Sequence, residues 1–139
     1  MAANTSPIYT LVPNCIPIHL AAANLASDGS GTLVNLVVAG ADGTRVDTVT
    51  FRNAQTTQAA SSNMLGKLFL SDAAGANFRL VEEAQILAAT RSSTVKGANS
   101  TVTFYPALPM KSGQILAVCQ SIYASAADQN SVIAIAGNF

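Results

Sequence analysis

A glycine-rich segment after an apolar run is the first feature of the sequence that could do chemistry. The run "VNLVV" (34–38) precedes Gly40-Ala-Asp-Gly43, and nucleotide-binding loops often begin in this way. Such a loop binds phosphate when it leads into a helix whose N-terminus faces the anion. Here it leads into "TRVDTVTF" (44–51), which is β-branched and alternating. We therefore predict that the glycines form a corner between two strands.

The titratable side chains form no catalytic constellation. His19 is the only histidine, and no second histidine or nucleophile motif accompanies it. Glu82 and Glu83 are adjacent in a predicted strand, so they face opposite ways and cannot form the facing pair of a glycoside hydrolase. Cross-strand partners such as Arg79 or Lys67 are the simpler interpretation. We predict a protein that is not an enzyme.

Metal and disulfide chemistry is also poorly supported. Asp28 and Asp42 each lie in a glycine-rich turn, but each turn offers one carboxylate, whereas calcium loops gather several oxygen ligands. Cys15 and Cys119 match no metal-ligand spacing. A disulfide between them would need an oxidising compartment, so we predict two buried free thiols. No metal and no cofactor is expected.

Charge and length limit the classes of partner. The 139 residues suit one domain with its own core, and seven basic residues balance seven acidic ones. Because these charges are spread singly along the chain, we expect no strongly positive face and no binding to nucleic acid. No run of about 18 apolar residues is present, so no membrane span is expected. The first twenty residues lack Lys and Arg and do not resemble a signal peptide.

The low proportion of charged residues points to protein contacts. Only 10% of the residues are charged, against about 25% in typical soluble domains. Hydroxyl and amide groups must therefore supply much of the polar surface. We interpret this composition as typical of a protein whose surface makes extensive contacts with other proteins.

Residues 1–20 predict an extended arm. Pro7, Pro13 and Pro17 interrupt this apolar segment, which excludes a helix and favours extended backbone. An apolar arm must lie against something, either an edge strand of its own domain or a neighbouring molecule. The residues that we predict to form an interface are Ile8, Tyr9, Leu11, Val12, Ile16, Ile18 and His19.

Residues 21–139 predict a single antiparallel β-sandwich. Short apolar runs of strand length alternate with turns rich in Gly, Asp and Asn. Val46 is out of step with Val49 and Phe51, which predicts a bulge near Asp47. The stretch 53–63 has no amphipathic face and is predicted to be a loop. The predicted strands lie within 31–40, 45–52, 64–72, 78–87, 100–108, 113–122 and 131–139.

The order of the segments resembles a known group of proteins. "SPIYTLVP", "AAANLASDGSGTLVNLVVAGADGTRVDTVTFR", "GKLFLSD", "FRLVEEAQILAAT", "FYPALPMKSGQILAV" and "AIAGNF" follow one another along nearly the whole chain. This succession is similar to small structural proteins of tailed-bacteriophage virions, of the jelly-roll decoration or cement type. Each segment alone is only a strand and a turn, so the resemblance depends on their order.

The resemblance implies a fold, a location and partners. It implies a jelly-roll-like sandwich on the outer head surface of a virion assembled in the bacterial cytoplasm. It also implies a homotrimer that binds the major capsid protein and stabilises the capsid. Two alternatives stay open, a tail or baseplate subunit and a carbohydrate-binding module on the virion. For the latter, loop residues such as Tyr123 and Asn130 are the candidates.

Overall fold

The part of the chain that the structure describes folds into eight β-strands. The computed structural model describes residues 12–54, 60–92 and 94–139. A short 3-10 helix, Ala126–Asp128, lies between the last two strands and is capped by Ser125. The strands are β1 (Val12–Leu20), β2 (Val34–Val38), β3 (Thr44–Asn53), β4 (Met64–Leu70), β5 (Arg79–Ile86), β6 (Asn99–Met110), β7 (Ile115–Gln120) and β8 (Asn130–Asn138).

The strands form two four-stranded antiparallel sheets. The first sheet has the order β1-β8-β3-β6, and the second has the order β2-β7-β4-β5. The first and last strands are neighbours in the first sheet, and most connections cross from one sheet to the other, as in a jelly roll. The predicted jelly-roll-like β-sandwich is confirmed, and a strand occupies each of the seven predicted regions.

The core lies between the two sheets and follows the period-2 pattern of the strands. Val49 and Phe51 of β3 face Leu68 of β4, and all three are fully buried. A Cβ at Gly66 would lie 2.5 Å from the Phe51 ring. Glycine at this position therefore allows the two sheets to approach over the largest side chain of the core.

Two local predictions are confirmed. The β3 ladders shift register between Val46 and Thr48, which places the expected bulge at Asp47. The glycine-rich segment is a corner between β2 and β3, closed by a hydrogen bond of 3.1 Å from the Gly43 amide to the Gly40 carbonyl. Gly43 has φ +98°, a conformation that glycine adopts without strain. No helix follows, so this corner has no phosphate-binding dipole.

The connection between β1 and β2, residues 21–33, crosses the outer surface of the second sheet. We call this connection the strap. It is attached by the Asn24 amide, which donates to the Gln120 carbonyl at 2.8 Å. It is also attached by Lys67, whose Nζ donates to the carbonyls of Leu25 and Ala26 at 2.8 and 3.2 Å. Lys67 is buried although it faces away from the core, because the strap lies over it.

Part of the predicted arm belongs to the sandwich itself. β1 pairs with β8 residue by residue, from Val12 opposite Asn138 to Leu20 opposite Asn130. Residues 12–20 thus form an edge strand of their own domain, the first of the two positions that the sequence allowed for the arm. Residues 1–11 lie outside the described part of the chain, as do residues 55–59 of the predicted loop.

Candidate functional site

The outer surface of the first sheet carries no charged side chain at its centre. Alternation turns one set of side chains from each strand into the core and the other set outward. The register aligns Cys15 with Ile135 and Thr48, and Pro17 with Ile133 and Thr50. We call this surface the first-sheet face. Its residues are Cys15, Pro17, Thr48, Thr50, Thr101, Thr103, Ile133 and Ile135.

Hydroxyl groups on this face are partly satisfied by one another. Thr50 and Thr101 lie opposite each other on β3 and β6, and their Oγ1 atoms are 3.0 Å apart. Such cross-strand threonine pairs stabilise a sheet while leaving their methyl groups exposed. Ile135, by contrast, has 53% of its surface exposed in the isolated chain. The face therefore presents methyl groups to any neighbouring molecule.

Charged residues lie toward the ends of the face, with Arg52 near the end of β3 and an Arg45–Asp47 pair near its beginning. The bulge at Asp47 brings its carboxylate to Arg45, with Nη2 and Oδ1 2.6 Å apart. Both side chains are substantially exposed, so this pair adds little stability. Its effect is to leave the centre of the face without net charge, which suits contact with another neutral protein surface.

Tyr105 stands out from the edge of the same sheet. The β3–β6 register passes from Val46 opposite Leu108 to Thr48 opposite Thr103, so residues 104–107 of β6 bulge away from β3. Tyr105 is 99% exposed on this bulge, and Pro106 follows it. An aromatic side chain with few rotatable bonds, held on a protruding bulge, is typical of a residue that anchors a protein interface.

Prolines oppose pairing at both edges of the first sheet. β1 contains Pro13 and Pro17, and β6 contains Pro106 and Pro109. Proline cannot donate a ladder hydrogen bond, and natural sheets use it to prevent edge-to-edge association. Contacts with other molecules are therefore more favourable on the first-sheet face than by strand addition.

The predicted interface residues fall into three groups. Val12 and His19 are exposed on β1. Ile16 and Ile18 are turned inward and pack against the core of their own sandwich, so they do not offer an outer surface. Ile8, Tyr9 and Leu11 lie outside the described residues. Sequence reasoning missed Tyr105 and Ile135, although two prolines inside the predicted strand 100–108 and its flank marked an edge with a bulge.

The prediction of two buried thiols is wrong for Cys15. Both cysteines are free, but Cys15 is exposed on the first-sheet face whereas Cys119 is buried. Cys119 faces the strap, and its Sγ lies 3.9 Å from the Asn24 carbonyl oxygen. Burial raises the pKa of the Cys119 thiol, which keeps it protonated and unreactive near neutral pH. Alternation alone could not predict this difference, because both thiols face outward from their sheets.

The two glutamates of β5 are arranged as the sequence indicated, without an ion pair to Lys67. Glu83 lies opposite Lys67 in the β4–β5 register. The Lys67 ammonium instead donates to the strap, including a hydrogen bond of 2.9 Å to Ser27 Oγ. Glu82 and Glu83 are both exposed on the edge strand. Among the described residues, no group of three or more His, Cys, Asp or Glu side chains could hold a metal ion.

The acidic turn residues stabilise their own loops. Asp72 accepts hydrogen bonds from the Ala76 amide and the Asn77 side chain, which hold its pKa below the ordinary value. Asp28 accepts from the Ser30 hydroxyl and amide, which lower its pKa in the same way. These partners are local, as is usual for aspartates in turns. Each carboxylate is thus used in forming a turn.

The candidates for a sugar site are not both accessible. Asn130 is fully buried, and its Nδ2 donates to Gln120 Oε1 at 2.9 Å. Tyr123 is half-buried, and its hydroxyl lies 3.4 Å from the Gln129 amide nitrogen. Asn130 therefore belongs to a buried network at the start of β8 and cannot form an exposed sugar platform with Tyr123.

Basic residues gather at one end of the sandwich. A cleft of about 640 Å³ lies between the end of β3 and the β5–β6 connection. Arg52, Arg91 and Lys96 line it, so three of the seven basic residues share one cleft. The charged residues are spread singly along the sequence, which predicted no such cluster. Only the fold brings position 52 next to positions 91–96.

Comparisons with known proteins assign no family to this chain. No protein-family model, no curated protein and no solved structure matches it. In the described part of the chain, no helix is long and apolar enough to cross a membrane.

Proposed function

We propose that this protein is a non-enzymatic structural component of a bacteriophage virion, a decoration protein that binds the outer head surface and stabilises the capsid. The observation that carries the proposal is the first-sheet face, which is rich in methyl groups and uncharged at its centre. The resemblance along the sequence supplies the biological setting. The jelly-roll-like sandwich agrees with that setting.

The face suits a second copy of the same chain. A neutral surface of threonine, isoleucine and proline side chains can pack against a different part of a second copy without charge repulsion, in the head-to-tail contact that a three-fold ring requires. Ile135 and Tyr105 are the apolar and aromatic groups with most to bury in such a contact. We infer a homotrimer in which the first-sheet face of one copy packs against its neighbour.

Contact with the shell is assigned to the N-terminal residues. Residues 1–11 contain Ile8, Tyr9 and Leu11, which are apolar and precede the edge strand β1. In the proposed complex they bind the major capsid protein, and the first-sheet faces hold the trimer together. Three copies of a short segment then bind one lattice site at the same time.

The free energy of apolar burial explains why several copies of the contact are needed. Apolar burial is worth about 25 cal/mol per Å², so roughly 300 Å² contributes about 7 kcal/mol. Association itself costs about as much, because two bodies lose their independent motion. A single small contact is therefore weak, and three linked contacts bind far more tightly than one. A small protein without a catalytic site gains useful affinity for a shell in this way.

The test uses two matched substitutions of exposed apolar residues. Ile135→Arg places a charge on the first-sheet face, whereas Val38→Arg places one on β2 of the other sheet, where the side chain is 60% exposed. We expect the wild-type protein and Val38→Arg to be trimers by light scattering and to bind capsids lacking the protein. Ile135→Arg should be monomeric and bind at least tenfold more weakly. A monomeric wild-type chain, or equal behaviour of the two variants, would contradict the proposal.

The tail or baseplate alternative predicts the same fold and the same face. It differs only in where the protein lies on the particle. A density map of intact virions distinguishes the two, because the decoration hypothesis requires copies over the capsid lattice. Copies confined to the tail or baseplate would favour the alternative.

A further inference from the structure

The basic cleft at the end of the sandwich is a built pocket rather than a chance approach of side chains. The Asn53 amide donates to the Ala98 carbonyl at 2.8 Å, which ties the β5–β6 connection to the end of β3. Gly97 lets the connection lie close, since a Cβ there would be 3.0 Å from the Asn53 carbonyl oxygen. The Ser92 Oγ accepts from the Val95 amide at 3.1 Å and closes the turn above. The walls are therefore held by backbone contacts.

The cleft is positive although the protein is neutral. No acidic residue is among the described residues that line it. Asp128 lies in the β7–β8 connection at the same end, where its carboxylate accepts the Ser62 and Ala124 amides at 2.7 and 2.9 Å and does not line the cleft, so it offsets only part of the positive charge. At the opposite end, Asp42 and Asp72 lie in the β2–β3 and β4–β5 connections. The fold thus separates charges that balance in the sequence.

Apart from Ala54, Val95 and Gly97, the other described residues of the lining are polar, and none of them carries an aromatic ring. Ser92, Thr94 and Asn99 provide hydroxyl and amide groups beside Arg52, Arg91 and Lys96. Such a lining suits a ligand that carries both an anionic group and several hydroxyls. Its volume falls in the range of small-molecule sites. The lack of a stacking ring disfavours nucleic-acid bases and neutral sugars, which rely on aromatic faces.

Asn53 adds a second observation at the wall of the cleft. Its side chain is 3% exposed, and Nδ2 donates to the Ala127 carbonyl at 3.0 Å. Its Oδ1 accepts no hydrogen bond from the described residues. Gly97 lies beside this oxygen, which is 3.1 Å from the position that a Cβ would take. A ligand hydroxyl that donated to the oxygen would remove the cost of leaving it unpaired.

We propose that this cleft binds an anionic saccharide, with Arg52, Arg91 and Lys96 holding its phosphate, sulfate or carboxylate group and the amide and hydroxyl side chains holding the sugar. Phosphate, sulfate and carboxylate would all accept the same charge-assisted hydrogen bonds from these cations. The preferred group is therefore identified by experiment. The cleft adjoins one end of the first-sheet face, since Arg52 follows Thr50 on the same side of β3. Binding of a small anionic sugar does not itself require the proposed role in the virion.

Binding is tested by two-dimensional NMR of the ¹⁵N-labelled full chain, titrated with glucose 6-phosphate, glucose 6-sulfate, glucuronic acid, glucose and inorganic phosphate. We expect at least one anionic sugar to shift amide signals of residues 52–54 and 91–98. Its affinity should exceed that of glucose and of inorganic phosphate at least fivefold, and should fall as salt rises. The anionic sugar that binds most tightly identifies the preferred group.

A pair of double variants separates the cleft from net charge. Arg52→Gln with Lys96→Gln removes two cations from the cleft, and Arg79→Gln with Lys111→Gln removes two from the opposite end. The first should weaken binding at least tenfold and the second less than twofold, with melting temperatures unchanged because all four side chains are exposed. If the cleft double variant has a lowered melting temperature, the salt dependence of wild-type binding and the comparison with glucose still test the proposal. The proposal would be overturned if both double variants lost the same affinity, or if glucose or phosphate bound as tightly as the anionic sugars. Tighter binding of a hexameric single-stranded DNA, or the absence of any shift in the amide signals, would also overturn it.

Discussion

Cys15 and Ile135 lie directly opposite each other on β1 and β8, so an exposed thiol sits beside an exposed isoleucine on the first-sheet face. A thiol at this place reports whether the face is covered. The other cysteine, Cys119, is buried and serves as an internal reference. Chemistry at one sulfur can therefore follow an assembly that involves no catalysis.

The first prediction concerns labelling of Cys15. In the isolated chain a maleimide should react with one thiol, because only Cys15 is exposed. In the assembled trimer and on capsids the rate should fall at least tenfold. Mass spectrometry of labelled peptides measures both. In Ile135→Arg the thiol should stay reactive at all protein concentrations, and a thiol that reacts equally fast in the assembled wild type would show that the face is open.

Tyr105 should contribute to assembly without contributing to folding. Its side chain is almost fully exposed, so Tyr105→Ala should change the free energy of unfolding by less than about 0.5 kcal/mol. Loss of an aromatic anchor at an interface typically costs about 2 kcal/mol, or roughly thirtyfold in affinity. Chemical denaturation and capsid-binding titrations measure the two quantities. Tyr123→Ala is the control, since that side chain lies at the other end of the sandwich; an equal effect of both variants would argue against a specific anchor.

Truncation should distinguish an arm from a strand. Deleting residues 1–11 leaves all eight strands in place, so the protein should fold while capsid binding falls. Deleting residues 1–20 removes β1, with Ile16, Ile18 and Leu20, and should prevent stable folding. Circular dichroism and sedimentation of capsids with bound protein measure the outcomes. Capsid binding that is unaffected by the shorter deletion would remove residues 1–11 from the proposed contact.

Lys67 should control access to Cys119. The buried ammonium donates to three oxygens of the strap, and Lys67→Met removes all three hydrogen bonds. We expect a loss of roughly 2 kcal/mol in the free energy of unfolding, since hydrogen bonds to charged groups are the stronger ones. In a Cys15→Ser background, reaction of Cys119 with a disulfide reagent should accelerate at least tenfold. Lys111→Met, in an exposed turn, is the control, and an unchanged rate in Lys67→Met would show that the strap is held by other contacts.

Asp128 should make stability fall in acid. Burial disfavours its ionised form, but hydrogen bonds from the Ser62 and Ala124 amides outweigh that effect and lower its pKa. Because the pKa is lower in the folded state, the carboxylate stabilises the protein fully at pH values above the ordinary aspartate pKa of about 3.9. This stabilisation is lost as the pH falls through the lower pKa of the folded state. Asp128→Asn should cost roughly 2 kcal/mol at pH 7.

The pH dependence provides the check on Asp128. Denaturation at pH 7 and at pH 3 should show a large difference between wild type and Asp128→Asn at the higher pH and a smaller one at the lower. Asp42→Asn, in an exposed corner, should show little difference at either pH. If the difference in the free energy of unfolding between wild type and Asp128→Asn is as large at pH 3 as at pH 7, the carboxylate charge is not what stabilises the loop.

Alternation and turn chemistry were sufficient to predict most of the sandwich. Seven strands, the bulge at Asp47 and the corner at Gly40 and Gly43 are all marked by patterns of residues that are close in sequence. Local backbone preferences and a period of two carry that information. The same reasoning placed residues 12–20 in extended backbone. It left open whether they would lie on their own domain.

The tertiary structure decided which residues are exposed and which of them share a surface. The sequence determined an all-β chain of low charge. The pairing of β1 with β8, the burial of Cys119 under the strap, the exposure of Tyr105 and the gathering of Arg52, Arg91 and Lys96 each join residues far apart along the chain. Periodicity shows which side of a strand a residue faces. Only the packing of distant segments determines whether that side meets the core, another loop or a partner.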